Sequence, residues 1–476
     1  MKLFTIGDSV SQGFMSFAGA RTDLSFSSIL AGCMGERAPR YRYPSWPAGG
    51  MPANLEGILR ALEARYGSDI KGLEWLTVLH TLNNALDLTE DYYERGSGSE
   101  RRPYDDSTSS FHNVAVWGFK VADAWGVTPK VCHRAIDVAR QAGGDRDALL
   151  GVPSAAMYRT ALAVLNPSRA KEHDDKTQLG WLAEHQKNEG IENLVLFLGA
   201  NNALGTLIEL RIKLTPGDGQ VLTASHEERA HAGWNLWHPK DFKSEFLELI
   251  RRVDEILDTA PTKVFVGTIP LITICPLAKG VGATTTVDTE VLYKYYTYFP
   301  FDEEFVQAGG PALTMQDAQF IDRCIRQYNT DIREIIAASN LKHPDRYHIV
   351  DVCKALSDLA WKRNGGKPIY QFPDAFQWLY PPVNTKYYHA DATGRIVQGG
   401  IFSLDGVHPT AIGQGLLAEE WRTVMMAAGV SVSPIDWDAI FVSDELHRHP
   451  IRLMQEIYQH EKLSEWVVKV LRAWRG

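Results

Sequence analysis

Short apolar runs alternate with longer amphipathic stretches along this chain, which is the pattern of buried strands each followed by a helix. Five runs read as strands, at about residues 2–8, 112–117, 193–198, 263–269 and 347–352. The last two are Lys263-Val264-Phe265-Val266-Gly267-Thr268-Ile269 and Tyr347-His348-Ile349-Val350-Asp351-Val352. Between them, apolar residues recur at three- and four-residue spacing over 53–65, 154–165, 178–189, 240–258, 315–339 and 411–428, which predicts helices. Strand and helix in alternation imply a mainly parallel, five-stranded sheet covered on both faces, an α/β/α sandwich.

The first strand ends in Phe4-Thr5-Ile6-Gly7-Asp8-Ser9-Val10-Ser11-Gln12-Gly13. Gly7-Asp8-Ser9 turns the chain so that a helix can begin near Ser11, leaving Ser9 at the C-terminal edge of the sheet, where open α/β sheets place their chemistry. Gly-Asp-Ser on its own is also ordinary loop and N-cap material. At the other end of the chain, Phe402-Ser403-Leu404-Asp405-Gly406-Val407-His408-Pro409-Thr410 sets an acid and an imidazole three residues apart, just ahead of a helix. A serine hydroxyl needs a base within hydrogen-bond reach, and that base needs a group to fix its tautomer and stabilise its charge. Ser9, His408 and Asp405 can fill those roles. Taken singly, Asp405 is a turn residue and His408 a surface loop histidine.

Two middle segments supply donors for a developing oxyanion. His112-Asn113-Val114-Ala115-Val116-Trp117-Gly118-Phe119 ends in a glycine whose N–H can approach a substrate closely. Asn193-Leu194-Val195-Leu196-Phe197-Leu198-Gly199-Ala200-Asn201-Asn202 ends with a side-chain amide at Asn201. With the Ser9 N–H these make three convergent donors. Each segment alone is equally a strand-ending turn.

These four blocks, in this order, resemble the SGNH (GDSL-type) hydrolase superfamily. The resemblance implies Ser9 as nucleophile and oxyanion donor, Gly118 and Asn201 as the other two donors, His408 as base and Asp405 as its partner. It also implies a flavodoxin-like strand order. The sequence departs from the commonest pattern at Val10, where Leu is usual, and at Asn202, where Asp usually follows the Asn. A slighter similarity to the phospholipase B branch lies in Ser45-Trp46-Pro47-Ala48-Gly49-Gly50 with Leu55 and Ile58-Leu59-Arg60, and in Asn113-Val114-Ala115-Val116, and it points toward lipid esters.

Composition narrows the reading further. A chain of 476 residues with 45% hydrophobic content can bury an extensive core, yet no apolar run is long enough to span a bilayer. The catalytic strand starts almost at Met1, so neither a signal peptide nor general secretory export is expected. Cys33, Cys132, Cys275, Cys324 and Cys353 are scattered, without a C-x-x-C, which disfavours a disulfide framework or a zinc site and suits a reducing cytoplasm. A net charge of −9 argues against nucleic acid or anionic membranes as main partners. No residue pattern demands a metal or an organic cofactor.

Because the four blocks run from residue 9 to residue 408, the chain reads as one enlarged domain, 1–433, with insertions at about 19–111, 271–346 and 353–404. Their aromatics, among them Trp46, Tyr92, Tyr93, Tyr293, Tyr296, Tyr298, Trp378, Tyr380, Tyr387 and Tyr388, either pack the insertions onto the sheet or line an acyl pocket. Residues 434–476 form a helical extension with helices at 451–458 and 463–474, suited to packing, to a dimer surface or, through Trp466, Val467, Val470, Leu471 and Trp474 beside Lys469, Arg472 and Arg475, to a membrane surface. The oligomeric state is left open. His226-Glu227-Glu228-Arg229-Ala230-His231 spaces its histidines five apart and so reads as structural, not as a metal-binding H-E-x-x-H. Gly280-Val281-Gly282-Ala283-Thr284 lacks the lysine of a phosphate loop.

The expectation is therefore a serine carboxylester hydrolase acting through an acyl-enzyme on a small-molecule or lipid ester. The alternatives are an acyltransferase sharing that intermediate and a silent binding protein on the same fold.

Overall fold

The computed structural model describes residues 1–70, 74–105, 107–143 and 152–459. Its centre is a four-stranded parallel sheet of β1 (Leu3–Gly7), β2 (Asn193–Phe197), β3 (Lys263–Gly267) and β4 (Tyr347–Val350), adjacent in that order. Thr5 pairs with Val195, Leu194 with Val264, and Ile349 with Val266. Seven helices organise the site around it: α1 (Ser9–Gln12), α2 (Phe26–Cys33), α3 (Gln178–Asn188), α4 (Asn201–Glu209), α5 (Pro239–Leu257), α6 (Met315–Lys342) and α7 (Ala411–Ala427).

Successive strand residues point to opposite faces, and each face has its own core. Phe4, Ile6, Leu194, Leu196, Val264 and Val266 join a core with Leu182 of α3, Phe246 and Leu249 of α5, and Ile325 and Ile332 of α6. Leu3, Val195, Phe197, Phe265 and Val350 join a second core with Phe26 and Leu30 of α2 and Ile412, Leu417 and Trp421 of α7. Phe26 stacks on Trp421 with ring centroids 5.0 Å apart. Each such side chain contributes roughly 1.5–3 kcal/mol of burial, so the apolar stripes of the helices fix them to the sheet. Helix α5 illustrates the local logic. Pro239 sits in its first turn, the His238 ring accepts the Lys240 N–H, and Phe242, Phe246, Leu249, Ile250, Val253 and Leu257 make one buried stripe.

The expected fifth strand, 112–117, does not form, which corrects the five-stranded reading. This segment does run beside the free edge of β1: Thr5 N donates to His112 O, Val114 N to Thr5 O and Val116 N to Gly7 O, at 2.9–3.2 Å. Side chains interrupt the ladder. Asn113 Oδ1 takes the Ala115 N–H at 3.0 Å, Gln178 Nε2 donates to both Gly7 O and Val114 O, and Gln12 Oε1 takes the Trp117 N–H at 2.8 Å. The edge is satisfied by amides that a strand template cannot foresee.

The six expected helices appear as Leu55–Tyr66, Ala156–Leu165, α3, α5, α6 and α7. Helices α2, α4, Trp75–Glu94 and Pro129–Gln141 lie outside the segments where the sequence pattern predicts helix. The segment after β3 carries an antiparallel pair, Ala278–Val287 and Glu290–Tyr298. Most insertion aromatics are buried, including Trp46, Tyr93, Tyr296, Tyr298, Tyr387 and Tyr388, whereas Trp378 and Tyr380 are exposed. Past residue 433, Ile435 and Ile440 enter the second core and Leu446, Ile451, Leu453 and Met454 the first. The helix expected at 451–458 is present as Met454–Gln459, and that expected at 463–474 lies outside the described residues. Among the described residues no helix is long and apolar enough to cross a membrane.

Candidate active site

Ser9 opens α1 directly after β1, with Asp8 as N-cap accepting the Val10 N–H at 3.2 Å. Gly13 closes this single turn at φ +80. A Cβ there would meet Arg21 O at 2.4 Å, so glycine is required. The hydroxyl is thereby fixed at the C-terminal edge of the sheet.

Ser9 Oγ donates to His408 Nε2 at 2.9 Å, and His408 Nδ1 donates to Asp405 Oδ2 at 3.0 Å. All three side chains are almost wholly buried. The Asp405 carboxylate accepts three further N–H groups: His408 N and Val407 N on Oδ1 at 2.8 and 2.9 Å, and Phe17 N on Oδ2 at 3.1 Å. Burial by itself would raise this carboxyl, but the His408 imidazole and these N–H groups outweigh it and hold the acid below its ordinary value. The ring of Phe14 packs on that of His408 at 4.6 Å. Orientation and tautomer of the base are thus set from two sides.

The loop carrying Asp405 and His408 is tied to the first turn of the chain. Ser16 and Phe17 both have positive φ, +50 and +64, in the two-residue link between the short strands Phe14–Met15 and Ala18–Gly19. Such turns favour Asn-Gly. Here Ser16 N donates to Ser403 Oγ at 2.8 Å, Ser16 Oγ accepts the Leu404 N–H at 3.3 Å, and Phe17 N reaches Asp405, so the strain is offset by the bonds that position the acid.

Gly118 and Asn201 line one cavity, and Asn201 reaches Asp8, the residue before Ser9. Gly118 has φ +80, and Met157 Cγ would lie 3.3 Å from a Cβ placed on it. The N–H groups of Ser9 and Gly118 have no acceptor among the described residues. Asn201 Nδ2 donates to Phe119 O at 3.0 Å and lies 3.4 Å from Asp8 Oδ2. Burial pushes the Asp8 carboxyl up to about 7, against the Val10 N–H and the His408 imidazole, which pull it down. Asn202, where the sequence departs from its pattern, braces the loop: its Oδ1 accepts the Val121 N–H at 3.1 Å and its Nδ2 donates to Glu245 Oε2 at 3.3 Å. Of the five residues singled out in the sequence, Ser9, His408 and Asp405 form one hydrogen-bonded chain, Asn201 reaches Asp8 beside Ser9, and Gly118 shares a cavity with Asn201.

Beside Gly118 and Asn201 lies a cavity of about 330 Å³. Trp117, Met157, Ile208 and Trp234 give it apolar walls, and Lys120, Asp123, Tyr158, His226 and Arg229 give it polar ones. None of the insertion aromatics named above lines it. The sequence offers one signal for this cavity, the His226 to His231 run, whose histidine spacing reads as structural and so does not mark it as a site.

A second imidazole cluster, His112, His185 and Glu189, brings its donor atoms within 4.8 Å of one another. Its hydrogen bonds do not suit a cation. His112 Nδ1 accepts the Arg42 N–H at 3.1 Å, so the neutral ring carries its proton on Nε2, the nitrogen that would face a metal. Burial and the neighbouring Arg42 guanidinium push His112 down to about 3. Arg42 also pairs with Glu189 at 3.5 Å, and His185 Nδ1 donates to Glu189 at 2.7 Å, so the cluster ties α3 to the edge segment beside β1.

No protein-family model matches the chain, and no curated protein matches it.

Proposed function

We propose that the protein is a serine carboxylester hydrolase of the SGNH type, acting on a small-molecule or lipid ester. One observation carries the reading. It is the unbroken chain Ser9 Oγ, His408 Nε2, His408 Nδ1, Asp405 Oδ2 at 2.9 and 3.0 Å, with the Ser9 N–H left without an acceptor among the described residues. A hydroxyl donating to an imidazole that is held by an ionised acid is poised to lose its proton.

In the proposed reaction His408 accepts the Ser9 proton as Oγ bonds to the ester carbonyl carbon. The carbonyl π pair moves onto oxygen, which the N–H groups of Ser9 and Gly118 and the amide of Asn201 stabilise. Asn201 must exchange its bond to Phe119 O for that oxyanion. Collapse of the adduct breaks the bond to the leaving alcohol, which takes the proton from His408. Water, deprotonated by the same histidine, then releases the acid from the acyl-enzyme. Asp405 stabilises the imidazolium throughout and stays ionised.

The strand order of β1 to β4, with the edge segment 112–117 outside β1, supports the flavodoxin-like arrangement that goes with this superfamily.

The test is labelling of the purified protein with a fluorophosphonate, with the adduct located by peptide mass spectrometry, beside a series of p-nitrophenyl esters of increasing acyl length. Adduct on Ser9 and turnover abolished in Ser9→Ala is the expected result. Folded protein that neither labels nor turns over any ester would overturn the proposal.

A further inference from the structure

The cavity beside Gly118 and Asn201 contains a cation that the protein does not use up. Arg229 is 8% exposed, yet only one hydrogen bond from its guanidinium is made among the described residues, Nη1 to Ala224 O at 2.9 Å. Asp123 Oδ1 stands 3.8 Å from Nη2, beyond hydrogen-bond distance. A guanidinium offers five N–H donors, and those Arg229 does not spend on the protein open onto the cavity, where a ligand can accept them. Room has been made for it: a Cβ on Gly126 would lie 3.0 Å from Nη2.

Asp123 forms an ion pair with Arg229 at 3.8 Å, but with Lys120 also in the lining the cavity carries more positive than negative charge. Among the described residues Asp123 is the one carboxylate lining the cavity, and its oxygens also accept from His226 Nδ1, on Oδ1 at 2.8 Å, and from the Lys120 N–H, on Oδ2 at 2.8 Å. Lys120 adds a second cation to the lining. Its ammonium lies 5.5 Å from the centre of the Trp237 ring. Tyr158 donates its hydroxyl to His226 Nε2 at 2.9 Å, so the chain Tyr158, His226, Asp123 is a fixed wall and not a second acidic lobe. Glu245, buried behind Asn202, feels the field of Arg229 but does not line the space.

We propose that this cavity binds an oxyanion group, a carboxylate or a phosphate, carried by the substrate, with the Arg229 guanidinium as its principal ligand and Lys120 as a second cation. Planar guanidinium donors match either group bidentately, and the Arg229 side chain is itself largely buried. Because Gly118 and Asn201 line the same space, an ester seated in the proposed oxyanion hole would extend its charged end toward Arg229. That the anion belongs to a substrate rests on the hydrolase reading; that the cavity binds an anion does not.

The experiment pairs neutral and charged esters on the full-length protein. 4-Nitrophenyl hexanoate is compared with mono-4-nitrophenyl adipate, which places the charge on the acyl side. Methyl 4-acetoxybenzoate is compared with 4-acetoxybenzoate and 4-acetoxyphenyl phosphate, which place it on the alcohol side as carboxylate or phosphate. We expect a kcat/KM ratio favouring the charged member by at least about tenfold on one side, falling toward one in Arg229→Gln and part-way in Lys120→Gln, with Arg229→Lys retaining part of the preference. Circular dichroism establishes that each variant folds, and Lys120→Gln carries the test if Arg229→Gln does not. Calorimetric titration of Ser9→Ala with adipate and with inorganic phosphate gives a readout independent of turnover. If no ester turns over but either anion binds, and binding is lost on adding Arg229→Gln or Lys120→Gln, the hydrolase reading fails and the anion site stands. Ratios at or below one in every pair, together with no binding of either anion, would overturn the anion site whatever becomes of the hydrolase reading.

Discussion

His408 Nε2 stands 2.9 Å from Ser9 Oγ although 399 positions separate the two residues in the chain. Their meeting depends on contacts between the two ends of the protein that lie outside the triad itself. Ser16 N donates to Ser403 Oγ at 2.8 Å, and Gln414 Nε2 donates to Val10 O at 3.1 Å while its Oε1 accepts the Phe26 N–H at 2.9 Å. Ser403→Ala leaves the Ser16 N–H buried in a positive-φ turn without its acceptor. The expected cost is about 1–3 kcal/mol of stability, read by denaturant unfolding. Turnover should fall with it, because the same turn presents the Phe17 N–H to Asp405. A variant as stable and active as the wild type would show that the turn does not hold the loop.

Ser9→Ala and His408→Gln should each lower ester turnover by several orders of magnitude while leaving the melting temperature within a few degrees. The double variant should be scarcely worse than either single one, because nucleophile and base act as a unit. Additive losses would mean that the two side chains work separately.

Asp405→Asn keeps the shape of the acid but not its charge, and it offers an amide where Phe17 N, Val407 N, His408 N and His408 Nδ1 now meet a carboxylate. Turnover should drop on the order of 10²–10⁴. There is also a pH signature. The Asp405 carboxyl is lower in the folded protein than its ordinary value of 3.8, so its stabilisation is present above that value and is lost as pH falls through the folded value. Unfolding measured from pH 5 down to pH 2 should therefore show a steeper loss of stability in the wild type than in Asp405→Asn. Parallel curves would contradict the ionised, charge-paired acid.

Much of this site was legible in the sequence because its chemistry sits at the ends of strands, where composition changes abruptly. Gly7-Asp8-Ser9 after an apolar run, and Asp405 three residues before His408 ahead of a helix, are local signals, and the structure joins Ser9, His408 and Asp405 by hydrogen bonds with Asn201 against Asp8. Residues 112–117 misled for a definite reason. Their apolar character is that of a buried edge, but Gln178, Asn113 and Gln12 take the hydrogen bonds a fifth strand would need, and Gln178 lies some sixty residues further along the chain. The cavity walls were equally out of reach. Tyr158, His226 and Asp123 come from three separate segments, and nothing local marks a tyrosine hydroxyl that will meet an imidazole 68 residues away.

Asp8 offers the most discriminating test of the electrostatics around Ser9. Burial raises its carboxyl from 3.8 to about 7, so between those values the folded protein holds a proton that the unfolded chain has released. Since stability rises with pH only where the unfolded state binds more protons, this group makes stability fall as pH climbs from about 4 to about 7. Glu245 and Glu90, also raised to about 7, act with the same sign, whereas buried His112, pushed down to about 3, acts with the opposite one. The informative quantity is therefore the difference between wild type and Asp8→Asn. Asparagine keeps an N-cap acceptor for the Val10 N–H and cannot ionise. Asp8→Asn should gain stability relative to wild type steadily from pH 4 to pH 7 and hold that gain at pH 8, as read from urea midpoints along the series. A difference that does not change with pH would mean that Asp8 is ionised throughout and that the floor beneath Ser9 is more polar than its burial implies.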